Sequence, residues 1–316
     1  MEAQYIFEGD ASMPRAARIK NPEAIYHVMA RSITEFDMFH DDEDKSHFLD
    51  LLYFCKERFH CKVYSYCIMT NHFHILLDTN GYDISSFMKS LNQRYVKYIN
   101  KKYRRRGHLL ADRFNSKIVT NSEYALTVSA YIHNNAKDIP EYANSIFDYP
   151  YSSMGIYLGK QRDRRNLIDT EFILGCFNEN DRKRALTAYA EMVSEKREAG
   201  INVKLRKYLE EFNKEQFEYK SYRTVLLRDR NPEEIINKIA ERFGIKDTKE
   251  IMHRWKRNSM RFRETVAYAL ITFCGMGTKE TCGYMKNISG TCLARLSDKG
   301  FRQFRNDPAL LKLLEA

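Results

Sequence analysis

The stretch TNHFHILL, residues 70–77, places His72 and His74 one residue apart in an otherwise apolar run. If the run is a strand, residues i and i+2 project to the same side, so the two imidazoles point together while Phe73, Ile75 and Leu77 point the other way. Histidine is costly to bury without partners, and two imidazoles side by side make half of a metal site. A third ligand must come from whatever covers that face. The helical stretch EYALTVSAYIHNNAK, residues 123–137, offers one. Tyr131 and Asn135 are i and i+4, hence on one helix face. Asn135 can supply an oxygen to a divalent ion, and Tyr131 then stands one turn away, close to that ion. Histidine with amide oxygen suits Mg²⁺ or Mn²⁺. Histidines at His27, His60, His108, His133 and His253 show no pattern of their own.

The elements that must position these residues alternate from about residue 20 to 137. AIYHVMARS (24–32) reads as a strand and DEDKSHFLDLLYFCKERF (42–59) as a helix with apolar residues at helical spacing. CKVYSYCIM (61–69) and HFHILLD (72–78) read as strands joined by a short break. A second helix is expected over 84–103 and a fourth strand in RFNSKIV (113–119). A third helix follows, capped by Asn121 or Ser122. Strand–helix–strand–strand–helix–strand is the ferredoxin-like order, an α+β antiparallel sheet with the first two helices on one face. The other face is left to host a site, with the third helix across or beside it.

The composition is that of a globular chain, 43% hydrophobic and 30% charged over 316 residues. No apolar run approaches the ~20 residues needed to span a bilayer. The first twenty residues lack the apolar stretch of a secretion signal, so a cytoplasmic protein without membrane attachment is expected. Seven cysteines, odd in number and without a CxxC pair, point to reduced thiols. The net charge of +10 is clustered. KKYRRR at 101–106 carries Lys101, Lys102, Arg104, Arg105 and Arg106, and HRWKRNSMRFR at 253–263 interleaves cations, among them Arg261 and Arg263, with Trp255 and Phe262. Cations clustered with aromatics suit a nucleic acid better than a membrane surface.

NHFHILL resembles the histidine–hydrophobic–histidine motif of HUH nucleases. Its surroundings resemble the single-tyrosine transposases of insertion sequences and the REP-associated tyrosine transposases. YHVMARS (26–32), GHLLADRFNSKIV (107–119), YIHNNAKD (131–138) and YPYSS (149–153) agree in order, so the resemblance covers residues 13–155. It implies an HUH nuclease fold with His72 and His74 as metal ligands, Asn135 as the polar third ligand and Tyr131 as nucleophile. Arg113 and Lys117 match positions suited to phosphate contact. The implied activity is metal-dependent cleavage and rejoining of single-stranded or hairpin DNA through a 5′-phosphotyrosyl link, as in transposition. The implied cofactor is Mg²⁺ or Mn²⁺, and the implied assembly a homodimer. Ala136 stands where many relatives carry proline.

Residues 156–230 read as a helical connector, and 231–316 as an all-α unit. TKETCGYMKNISGTCLARL (278–296) has helix-turn-helix form, with a turn through Asn287 and a second helix capped by Ser289. Thr291, Arg295 and Lys299 of that second helix are placed to meet duplex DNA. The unit resembles the DNA-binding domain of the bacterial replication initiator DnaA, though ISGTCLARL replaces that family's DHTTV signature. Two other readings stay open: a domesticated nucleic-acid-binding protein that no longer cuts, and a transcription regulator dominated by its helix-turn-helix.

Overall fold

The computed structural model describes residues 21, 23–177, 181–195, 223–252, 257–286 and 288–315. The expected domain start (13–20), residues 196–222 of the expected connector, His253, Trp255 and Asn287 lie outside them. The sheet has four strands: β1 (Ile25–Arg31), β2 (Lys62–Ile68), β3 (His72–Asp78) and β4 (Asn115–Val119). Their order is β2-β3-β1-β4 with every pair antiparallel, which is the expected βαββαβ arrangement. Two helices connect them, α1 (Asp42–Phe59) and α2 (Ile84–Lys102). Each begins where an aspartate can cap it: Asp41 accepts from Asp44 N, and Asp83 accepts from Ser86 N.

Strand alternation divides the apolar residues between two cores. Tyr26, Val28, Phe73, Ile75 and Leu77 pack with Phe48, Leu52, Phe87 and Leu91 of α1 and α2. On the other face Ile25, Leu76 and Val119 pack beneath α3 (Ser122–Asn134), with Tyr124, Val128 and Ile132 as its contribution. Asn121 caps α3 by accepting from Tyr124 N. The second core continues through α4 (Met154–Tyr157), α5 (Glu171–Gly175) and α6 (Arg182–Glu195), which bury Met154, Phe172 and Tyr189 against the same face. The helices α4, α5 and α6 therefore bury their apolar side chains on the sheet's own second core. The sequence showed charge here and hid this, because α6 exposes most of its charged residues and turns only Ala185, Tyr189 and Val193 fully inward.

A third core belongs to α7 (Pro232–Phe243), α8 (Arg257–Thr272), α9 (Thr278–Met285), α10 (Gly290–Asn306) and α11 (Pro308–Glu315). Ser289 caps α10 as expected, accepting from Cys292 N. The extended segment 223–230 runs back along the sheet unit. Arg223 forms a two-pronged pair with the buried Asp78, at 2.5 and 2.7 Å. Arg228 donates to Phe59 O and Asn80 O on one side and to Thr272 O on the other. All seven cysteines are free thiols, as expected. Among the described residues, no helix is long and apolar enough to cross a membrane.

Candidate active site

The site lies on the sheet face beneath α3. His72 and His74 share that side of β3, with ring centroids 5.1 Å apart and planes nearly perpendicular. His74 is 2% exposed, whereas His72, at the strand's edge, keeps partial access. Tyr131, on the third turn of α3, sets its ring edge-on against His74 at 5.5 Å. The strand pair and the helical tyrosine singled out in the sequence therefore meet in one place, within one chain.

A third histidine, passed over as patternless, joins them. His27 of β1 lies with Nε2 3.0 Å from His74 Nδ1, and its ring is 5.8 Å from Tyr131. Its neighbours Tyr26 and Val28 belong to the opposite core, so alternation alone puts it on the site face. Cross-strand register brings it diagonally beside His74: His27 pairs with Leu76 and Met29 with His74. Lys117 of β4 is its direct partner on the other side. Arg31, directly opposite His72, was also missed. The available signal was the strand period on β1, which sets 27, 29 and 31 on one face.

Burial keeps these imidazoles neutral. His72 is pulled down to about 4, first by burial and then by the nearby Arg31 cation. His27 falls to about 3 by burial and the Lys117 charge, and His74 lies well below its ordinary value by burial and its two histidine neighbours. Burial also lowers the Lys117 ammonium. A neutral imidazole has a nitrogen lone pair to give a metal, so the donors fit a divalent cation. Among the described residues no group of three or more His, Cys, Asp or Glu side chains is arranged to hold one unaided. The remaining ligands would have to be oxygens. Asn135 is buried at the end of α3 and donates its amide hydrogens to Tyr131 O and Ile132 O, so any cation it held would be held through Oδ1.

The expected DNA-contacting residues scatter in character. Lys101, Arg104, Arg106, Arg113, Thr291 and Arg295 are exposed, as is Arg261, which lies over Phe243 at 6.0 Å. Lys102 is bound to Asp41, Glu43 and Asp44 at 2.8–2.9 Å, and Arg105 stacks on Phe36 at 3.7 Å. Arg263 differs from the rest: at 2% exposure it is buried within the helical unit and offers little surface to a nucleic acid.

Residues 21–135 match the family model described as Transposase IS200 like. The match ends at Asn135, so it takes in His27, His72, His74 and Tyr131 and leaves out the whole helical unit. A solved structure, that of a REP-associated tyrosine transposase bound to a REP hairpin, aligns at 13% identity. It covers 50% of this chain and 90% of that chain, with a TM-score of 0.39. No curated protein matches the chain.

Proposed function

We propose that the chain is a metal-dependent, transposase-like DNA strand transferase with Tyr131 as its nucleophile. The observation that carries this is the edge-on approach of Tyr131 to His74, inside a segment that matches an IS200-like transposase model. His72, His74 and Asn135 Oδ1 would hold Mg²⁺ or Mn²⁺, whose contribution when bound is to polarise the scissile phosphate and neutralise developing charge. Tyr131 Oη attacks phosphorus. The Oη–P bond forms, the bond from phosphorus to the 3′ oxygen breaks, and the phenolic proton is exchanged for one on the departing 3′-hydroxyl. The 5′-phosphotyrosyl link keeps the energy of the phosphodiester, so a second 3′-hydroxyl can reverse the step and join strands. Lys117, on the same face, is suited to the phosphate backbone, and Arg113, exposed just before β4, to its continuation.

On this reading the cleaving unit, expected over 13–155, takes single-stranded or hairpin DNA; of the expected connector 156–230, the part through Val193 packs on that unit's second core, and the remainder joins it to 231–316. The helical unit would add duplex binding through α9 and α10, where Thr291 and Arg295 are exposed, in a helix-turn-helix manner. A homodimer is the expected assembly. The deciding experiment incubates end-labelled hairpin oligonucleotides with the protein and Mn²⁺ or Mg²⁺ and resolves products on a denaturing gel. A protein-linked species that keeps the 3′ label, lost with EDTA and in Tyr131→Phe, is the expected result. Binding without any adduct would instead mark a non-cleaving nucleic-acid-binding protein.

A further inference from the structure

His27 Nε2 and His74 Nδ1 lie 3.0 Å apart, within hydrogen-bond distance. A neutral imidazole carries one N–H and one lone pair, so one ring donates and the other accepts. If His27 donates, His74 accepts at Nδ1 and bears its hydrogen on Nε2, leaving no nitrogen for a metal. If His74 donates from Nδ1, its Nε2 keeps the lone pair. His72 is held in the corresponding way: its Nδ1 lies 2.7 Å from Asn71 Oδ1, an acceptor only, so Nδ1 donates and Nε2 is the ligating nitrogen.

We propose that His27 is a positioning residue, accepting the Nδ1 hydrogen of His74 and so holding His74 in the tautomer and orientation that present Nε2 to a divalent cation. This rests on the metal-site reading of His72 and His74. Acceptors on the far nitrogen of a ligating histidine commonly fix its tautomer and ring angle. Here the acceptor is another imidazole from the neighbouring strand, placed by β1–β3 register. The stacked planes, 28° apart with centroids at 5.2 Å, restrict rotation of both rings.

The test measures Mn²⁺ binding to the full chain without DNA, by electron paramagnetic resonance of free Mn²⁺, for wild type, His27→Gln, His27→Leu and His72→Ala. Glutamine can set an acceptor oxygen near the position of Nε2, and leucine cannot. Expected are near-wild-type affinity for His27→Gln and a loss of about 10- to 100-fold for His27→Leu. Wild-type affinity in His27→Leu, or equal loss in both variants, overturns the role of His27 while His72→Ala still reports the metal site. No Mn²⁺ binding by wild type above the His72→Ala background overturns the metal reading itself and this inference with it. Imidazole ¹⁵N spectra of the metal-free wild type need no variant to fold. Hydrogen on Nδ1 of His74 supports the proposal, and hydrogen on Nε2 refutes it.

Discussion

At the scale of single residues, cations counted together in sequence do unlike work. KKYRRR reads as one basic patch, but Lys102 lies against the acidic first turn of α1, bound to Asp41, Glu43 and Asp44. Its hydrogen bond is the chief reason Asp41, the α1 cap, is held below the usual carboxylate range. Arg104 and Arg106 are exposed. Each phosphate contact adds ~0.7–0.9 to the dependence of log affinity on log salt. Arg106→Ala should therefore flatten the salt dependence of oligonucleotide binding by up to that amount, with an unchanged melting temperature. Lys102→Ala should do the reverse, lowering stability by ~1 kcal/mol and leaving the salt slope in place. Fluorescence anisotropy over a salt series, beside thermal melts, separates the two. A flattened slope in Lys102→Ala would place that ammonium on DNA after all.

At the scale of elements, much of the sheet was legible because alternation in HFHILLD and helical spacing in 42–59 are local signals. The agreement of β3 with 72–78 and α1 with 42–59 reflects this. His27 was not legible, since its place beside His74 depends on the register of two strands far apart in sequence. Nor was the anchoring of α3. His133, two residues beyond Tyr131, faces away from the site into a buried chain of polar groups. Its Nε2 meets Ser153 Oγ at 2.7 Å, its Nδ1 meets Tyr189 Oη at 2.8 Å, and Ser129 Oγ meets the same tyrosine. That chain ties α3 to α6 and to the β2 edge, where Ser153 Oγ accepts from Tyr66 N. Tyr189→Phe removes a hydroxyl shared by Ser129 and His133, both buried, and should cost ~1–3 kcal/mol. On the proposed function it should also slow adduct formation more than it weakens oligonucleotide binding, because it loosens α3 without touching DNA-facing cations. Equal stability of Tyr189→Phe and wild type in urea would show that water replaces the network freely.

At the scale of the whole molecule, the sheet unit and the helical unit are joined by groups that no local sequence pattern pairs. Arg58 and Arg94 both reach Asp298, at 3.0 and 2.5 Å, and Phe54 meets Phe301 edge-on at 5.6 Å. His60 closes α1 in a left-handed conformation, φ 53°, and its Nε2 lies 2.8 Å from Tyr268 Oη on α8. Burial, then the Arg228 charge, pull His60 down to about 4, with Glu57 opposing weakly. An unfolded histidine titrates near 6.5, so below that pH the unfolded chain takes up a proton that the folded interface refuses. The stabilising contribution is complete above about pH 6.5 and is lost as pH falls toward 4, with a slope of up to ~1.4 kcal/mol per pH unit from one site. His133, lowered to about 3 by burial, and the lowered His27, His72 and His74 of the sheet add to the same trend, so the wild-type slope alone cannot assign it to the interface. His60→Asn does. Asparagine tolerates the left-handed backbone and does not titrate. The variant should be less stable at pH 7.5, where the contact to Tyr268 is lost, yet fall less steeply on acidification, so that its melting temperature converges with wild type between pH 6.5 and 4.5. Parallel melting curves across that range would mean that His60 keeps its ordinary protonation at this junction, and that acid acts on the two units elsewhere.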